Sequence, residues 1–306
     1  MSKKYNMIMQ YAKRLPLLPG RIIDCIRTKC PKESDFRYQL AIVAILKNEG
    51  DYIEEWIRYH KLVGVDRFII YDNDSSDNMP DILKRYAETG DVVYQSFHGT
   101  GRQLDAYNDA VLKYKEECRY MAFIDGDEYL YPMDREKKIP EIIDDILLLK
   151  PKAVAVAVNW RMFGSSHLEK KPQKGGVIDN FLYRATENGK GNECIKTIAN
   201  PRYIYSYNHP HYPIYRLGYF AVDETGHKVS MWKNVLERTE KIRINHYFTK
   251  SKEEWVTRRS MGRGAARKDP DKYKRSIEEF YEHDNNDIYD DGMLFYSDLL
   301  NKDVFR

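Results

Sequence analysis

From residue 38 the chain sorts into blocks of two kinds. Short β-rich apolar runs recur at "YQLAIVAIL" (38–46), "DRFIIY" (66–71), "DVVYQSF" (91–97) and "RYMAFI" (119–124). Such unbroken runs suit strands buried on both faces of a parallel sheet. Between them, apolar residues return at helical spacing. Ile53, Trp56, Ile57, His60 and Val63 mark one helix, and Leu104, Tyr107, Val111 and Tyr114 mark another within 102–117. Gly64 is a helix stop, and Pro80 opens a helix over 80–88. Strands alternating with helices predict βαβ units and an α/β class with a mainly parallel sheet. In that architecture ligands bind outside the carboxyl ends of the strands.

Three of those ends are strongly polar. The first strand runs into "KNE" (47–49) and the second into "YDNDSSDN" (71–78). The fourth runs into "FIDGDEYLYP" (123–132), where Asp125, Asp127 and Glu128 crowd three carboxylates together. These repel one another unless a cation or a set of donors lies between them. An Asp-x-Asp at a strand end can hold Mg²⁺ or Mn²⁺ through one or two carboxylates, with substrate phosphates completing the shell. A polar turn that only solvates the strand end is the alternative, and Asp, Asn and Ser in 72–78 also suit turns and helix caps.

Composition narrows the function classes. A net charge of +3 over 306 residues is too small to imply nucleic-acid binding. The cysteines at 25, 30, 118 and 194 have no metal-ligand spacing, and they read as reduced thiols of a cytosolic protein. No run of about 18 apolar residues occurs, so no membrane-spanning helix is expected. The first 30 residues interleave Lys3, Lys4, Lys13, Arg14, Arg21, Arg27 and Lys29 with Ile8, Leu15, Leu18, Ile22, Ile23 and Ile26. That pattern fits a basic amphipathic segment on an anionic membrane face, or a lead-in helix packed on the domain. Three apparent motifs fail. "DNDSSDNMPDIL" has Asp77 where a calcium loop needs glycine and Leu83 where it needs glutamate. "GTGRQL" (99–104) has Leu104 for the third glycine of a dinucleotide loop. "HPH" (209–211) has no companion pair at zinc spacing, so its histidines are expected to be structural.

Six segments in order carry a resemblance. They are "KNEGDYIEEWIRYHKLVGVDRFIIYDNDSSD" (47–77), "QLDAYNDAV" (103–111), "FIDGDEYLYP" (123–132), "NWRMFGSS" (159–166), "KTIANP" (196–201) and "INHYFTKSKEEW" (244–255). Across about residues 40–265 the chain resembles a GT-A glycosyltransferase, specifically glycosyltransferase family 92 and its bacterial relatives in the family 2 superfamily. It departs from that pattern at His167, which directly follows Ser166, and at the stretched "RRSMGRGAARK" (258–268).

The resemblance implies a Rossmann-like GT-A domain over 38–250, after a basic segment 1–37 and before a lid and helical segment over 251–306. It implies a Mn²⁺ or Mg²⁺ cofactor held by Asp125, Asp127 and His246. Asn48, Glu49, Asp72 and Asn73 would line a base and ribose pocket, with Gln103 and Asn108 facing the same rim and Asp125 on the ribose side. Lys250 and Arg263 would neutralise the leaving diphosphate, and Trp160 or Phe163 would stack on a sugar. His167, Glu169 and Asp223 are the candidate bases. The implied reaction is inverting transfer from a nucleotide-diphosphate sugar, a UDP-sugar first, to a glycan or lipid-linked acceptor in surface polysaccharide synthesis. The enzyme would be cytoplasmic, with a peripheral contact at the inner membrane face. Two other classes stay open: nucleotidyl transfer to a sugar phosphate, and a non-catalytic carbohydrate-binding relic.

Overall fold

The computed structural model describes residues 15–27, 36–259 and 276–303. Arg263, with the rest of 260–275 and 304–306 in the expected lid and helical segment, therefore lies outside the described residues, as do residues 1–14 and 28–35 of the basic segment. A helix α1, Leu18–Arg27, precedes strand β1, Tyr38–Leu46. Then α2 (Ile53–Leu62), β2 (Arg67–Asp72), α3 (Met79–Glu88), β3 (Val92–Ser96), α4 (Gln103–Tyr114) and β4 (Cys118–Phe123) follow the predicted alternation. These four strands pair in parallel in the order β3-β2-β1-β4. The unbroken apolar run of β1 has a physical cause. Leu40, Ile42 and Ala44 pack into a core under α2, while Ala41 and Val43 enter a second core under α4. Gly64 has φ +103°, a left-handed turn that suits glycine and ends α2.

The second half extends this sheet in a way that the apolar pattern does not announce. The elements are β5 (Glu128–Pro132), α5 (Ile139–Leu147), β6 (Ala153–Met162), α6 (Val177–Asn180), β7 (Tyr183–Arg184), β8 (Ile195–Ala199), β9 (Ile204–Ser206), β10 (Ile214–Tyr215), β11 (Phe220–Val222), β12 (Lys228–Val229) and β13 (Ile242–His246). β8 lies antiparallel between β4 and β6, and β11 continues parallel to β6. β13 runs parallel to the end of β6 and antiparallel to β5. The result is the α/β, Rossmann-like architecture expected of a GT-A domain, a mainly parallel sheet flanked by helices. Helices α7 (Lys252–Arg259) and α8 (Ile277–His283) meet through Trp255 and Phe280, whose rings are 5.8 Å apart. After β14 (Ile288–Tyr289), α9 (Leu294–Asp303) packs on α2 and α6.

Helix α1 docks on the domain. Asp24 pairs with Arg216 at 2.8 Å, and Arg21 donates to the Tyr215 carbonyl at 2.7 Å. Leu18, Ile22 and Ile23 stay exposed. No helix among the described residues is long and apolar enough to cross a membrane.

Candidate active site

The carboxyl ends of β1, β2, β4, β6 and β13 share one edge of the sheet, because β8 is antiparallel to both β4 and β6. That edge gathers the polar strand ends. Gly126 makes the turn after β4 possible: a Cβ there would stand 3.0 Å from Leu46 and 3.2 Å from the Glu49 side chain. The turn aims Asp125 and Asp127 differently. Asp125 accepts from Gln103 Nε2 at 2.9 Å through Oδ1 and from Lys196 Nζ at 2.8 Å through Oδ2. Asp127 Oδ1 instead lies 3.5 Å from His246 Nε2.

His246 reaches Asp127 through strand register. It sits opposite Glu128 in β5 and opposite Met162 in β6, and the Tyr247 amide donates to the Asp127 carbonyl at 2.8 Å. Its ring packs 4.2 Å from that of Trp160, and its Nδ1 is buried without a hydrogen-bond partner. The nitrogen that faces Asp127 is Nε2, so the pair brings one imidazole nitrogen and one carboxylate oxygen together. Oxygen and imidazole nitrogen suit Mn²⁺, and Mg²⁺ or Mn²⁺ sites commonly take one or two protein ligands plus phosphate oxygens. The pair fits such an ion. Among the described residues, no group of three ligating side chains stands ready assembled; Asp125, expected as a third ligand, faces Lys196 and Gln103.

Lys196 and Glu128 form the buried half of this site. Lys196 is 1% exposed and Glu128 is fully buried, with Nζ and Oε1 3.6 Å apart. Glu128 Oε2 also accepts from the Asp125 amide at 3.0 Å. Burial pushes the Glu128 carboxyl well above the usual carboxylate range, against the pull of Lys196. Burial opposes the Lys196 charge, but Asp125 and Glu128 overcome it and hold the ammonium above its ordinary value. Lys196 stands at the start of antiparallel β8, which brings it to the rim from the opposite direction.

The remaining expected donors and ligands divide by role. Glu49 and Lys250 meet in a buried ion pair at 3.3 Å, with Lys250 4.2 Å from the Tyr52 ring centre. With Asn48, Tyr52 and Lys171 they line a cavity of about 370 Å³. Asp72 accepts from the Ser75 amide at 3.0 Å and from the Tyr94 hydroxyl at 2.9 Å, so it shapes the loop after β2. Asn73 donates to the Phe97 and Gly99 carbonyls, and Asn48 accepts from the Ser76 amide. Asn108 binds the Tyr207 backbone through both ends of its amide, fastening α4 to the segment after β9.

The three candidate bases occupy different surroundings. His167 is exposed, with φ +64° and its ring 5.3 Å from Tyr183. Glu169 is exposed and pairs with Lys252 at 3.1 Å. Asp223 is buried in the β11–β12 turn, where Oδ1 accepts from Thr225 and the His227 amide. Its Oδ2 accepts from Asn234 Nδ2 at 3.3 Å.

A family model for glycosyltransferase family 92 matches residues 43–280. The chain belongs to glycosyltransferase family 92. A family 92 protein of Arabidopsis thaliana is 31% identical over 119 residues, covering 38% of this chain and 20% of its own. A family 92 protein of Oryza sativa subsp. japonica is 26% identical over 176 residues, covering 57% of this chain and 30% of its own. The matched region thus spans less than a third of the length of these relatives. Among solved structures, residues 1–349 of S. aureus TarS in complex with UDP superpose with a TM-score of 0.34 at 14% identity, over 53% of this chain and 47% of that one. A mannosyltransferase from Pyrobaculum calidifontis in complex with GDP-Man and Mn²⁺ gives 0.30 at 21% identity, over 49% and 45%. Similarity at that level says nothing about what this family 92 chain binds.

Two residues at this edge of the family 92 chain, Lys196 and Glu128, carry contacts that the sequence reading did not assign, and a third, His211, lies close by. Lys196 was visible as a lone cation at the head of the apolar run "IKTIA" (195–199). Glu128 stood within the acidic cluster but had no assigned partner. His211 was expected to be merely structural. Its Nδ1 lies 2.9 Å from the Ile195 carbonyl, and its ring packs 5.0 Å from that of Trp160, which also contacts His246. Burial and the Lys196 charge hold His211 well below the usual histidine range, hence neutral.

Proposed function

We propose that this chain is a metal-dependent, inverting glycosyltransferase that moves a sugar from a nucleotide-diphosphate donor, a UDP-sugar first, to a glycan or lipid-linked acceptor of surface polysaccharide synthesis. The observation that supports it best is the Asp127–His246 pair beside a charge-clamped Asp125, on the carboxyl edge of a parallel sheet. Asp127 and His246 would hold Mn²⁺ or Mg²⁺, which supplies charge stabilisation for the departing diphosphate. Asp125 has its two oxygens oriented by Gln103 and Lys196, yet each carboxylate oxygen keeps a second lone pair for a ribose hydroxyl. The transition state is oxocarbenium-like, as in glycoside hydrolysis, and a base must take the acceptor proton opposite the leaving group. His167 and Glu169 are the exposed candidates for that proton.

A donor screen tests the reading: nucleotide sugars with Mn²⁺, scored for free nucleotide. Asp127→Ala is expected to abolish release and to weaken Mn²⁺-dependent UDP binding by about 10–100-fold or more, the range found even for outer-shell partners. Equal affinity of mutant and wild type in the presence of Mn²⁺ would remove Asp127 from the site.

A further inference from the structure

A cavity of about 600 Å³ opens where β6 ends, between the 187–193 loop and the 231–239 segment. That volume lies within the roughly 300–1,000 Å³ of small-molecule sites. Its position relative to the candidate centre is fixed by one side chain. Trp160 lines the cavity and packs its ring 4.2 Å from that of His246. From Trp160 an aromatic series continues away from the metal pair, through His211 to Trp232, which stacks on His209 at 5.6 Å.

The lining chooses among ligand classes. Its charged side chains are two cations and two anions, and each is paired across the wall: Arg161 with Glu187, and Lys233 with Glu193 at 2.5 Å. A nucleoside diphosphate needs an excess of cationic donors, and the wall has none to spare. The remaining polar side chains include Thr239 and several amides, of which Asn159, Asn192 and Asn234 are held in set orientations. Asn159 Nδ2 donates to the Asn192 carbonyl at 3.0 Å and to the Asn234 carbonyl at 2.7 Å, and Asn234 Nδ2 donates back to Asn159 at 3.2 Å. Trp160, Trp232, Met231, Val235 and Leu236 supply the apolar surface. Rigid rings beside fixed amides, with no net charge, match a molecule that carries hydroxyls around its edge and apolar C–H faces.

We infer that this cavity binds an uncharged saccharide and serves as the acceptor subsite. Its role as an acceptor subsite rests on the transferase reading; saccharide binding as such does not. Trp232, with His209 stacked on its ring and Lys233 4.6 Å over it, supplies a rigid part of the apolar wall, and Val235, 75% exposed, faces the entering sugar.

The test is a titration of intrinsic fluorescence with the methyl glycosides of glucose, galactose and N-acetylglucosamine, with neither donor nor metal present. At least one glycoside should give a saturable change. Trp232→Leu should weaken it at least ten-fold, and so should Val235→Arg, an exposed substitution that blocks the mouth without disturbing the core. Calorimetric affinity for UDP with Mn²⁺ should be the same in wild type and both variants. If wild type fails to bind UDP with Mn²⁺ while glycoside binding and its loss in the variants persist, the transferase reading falls and the saccharide site stands. No saturable change with any of the three glycosides, or Val235→Arg binding as tightly as wild type, would overturn the inference.

Discussion

Lys196→Met removes the ammonium that lies 2.8 Å from Asp125 and 3.6 Å from Glu128. At an effective dielectric of about 20, those separations correspond to about 6 and about 5 kcal/mol of attraction. Much of this is spent on desolvating the lysine, so the net loss is smaller. Breaking a buried pair by deleting one partner costs about 3–5 kcal/mol, because the other charge is left uncompensated. Here Glu128 can relieve the strain by taking a proton. Its carboxyl is already pushed upward by burial, and losing Lys196 pushes it further. The sign follows from proton counting. The folded mutant binds more protons than its unfolded chain wherever pH exceeds the unfolded carboxyl value, so stability falls as pH rises. Urea unfolding followed by tryptophan fluorescence at pH 5 and pH 8 reads this directly. The mutant should be about 3–5 kcal/mol less stable than wild type at pH 8 and clearly less impaired at pH 5. Adding Glu128→Gln should restore part of the loss at pH 8, since it removes one of the stranded charges. A deficit under about 1 kcal/mol at pH 8, or one independent of pH, would refute the view that Lys196 compensates the buried Glu128 and the partly exposed Asp125.

Three further outcomes follow from other parts of the molecule. Glu55 accepts from Tyr129, Val177 and Ile178, yet burial pushes its carboxyl up to about 7, so wild-type stability should decline between about pH 4.5 and 7, and Glu55→Gln should flatten that slope by up to about 3 kcal/mol in differential scanning or urea titration. A slope unchanged in the mutant would place the titration elsewhere. His246→Ala should weaken UDP binding when Mn²⁺ is present and leave metal-free binding as it was; calorimetry showing equal losses in both conditions would return His246 to a packing role. A chain starting at Ser34 should keep its nucleotide affinity but float poorly with anionic liposomes, because it lacks the basic segment and the exposed Leu18, Ile22 and Ile23 of α1. Flotation equal to that of the full chain would leave α1 as a docked helix only.

The first half of the fold was legible because each βαβ unit is closed by neighbours in sequence. β1 needs apolar residues on both faces, α2 and α4 need an apolar stripe, and Gly64 needs its left-handed turn, so each leaves a local mark. The second half was not. β8, β11 and β13 are three to five residues long, and their pairings to β4, β5 and β6 join segments far apart in the chain. Nothing local in "KTIANP" says that Lys196 enters the sheet backwards and arrives beneath Asp125. The carboxylates after β4 could be read from residue type and strand position alone. His246 could be tied to them only through the family resemblance, because strand register, a long-range property, brings it to Asp127. Asp223 shows what residue type alone leaves out: its Oδ1 accepts from the Thr225 and His227 turn and its Oδ2 from Asn234, contacts that no local pattern announces.

The insertion of β13 beside β5 and β6 has a consequence for the chain as it is made. Among the described residues β5 pairs only with β13, so its ladder groups have no strand partner until residues 242–246 emerge. At a synthesis rate of about 5–20 residues per second, the stretch of about 110 residues between Pro132 and Ile242 takes about 6–22 s to appear. Throughout that interval the nascent chain carries a five-residue strand, "EYLYP", with an open edge and two tyrosines, the kind of surface that recruits a foreign strand. Pro132 at its end blunts the edge by withholding one donor. The same late arrival means that the half-made protein holds its acidic turn without its histidine, so competence for the donor would be among the last properties the ribosome delivers.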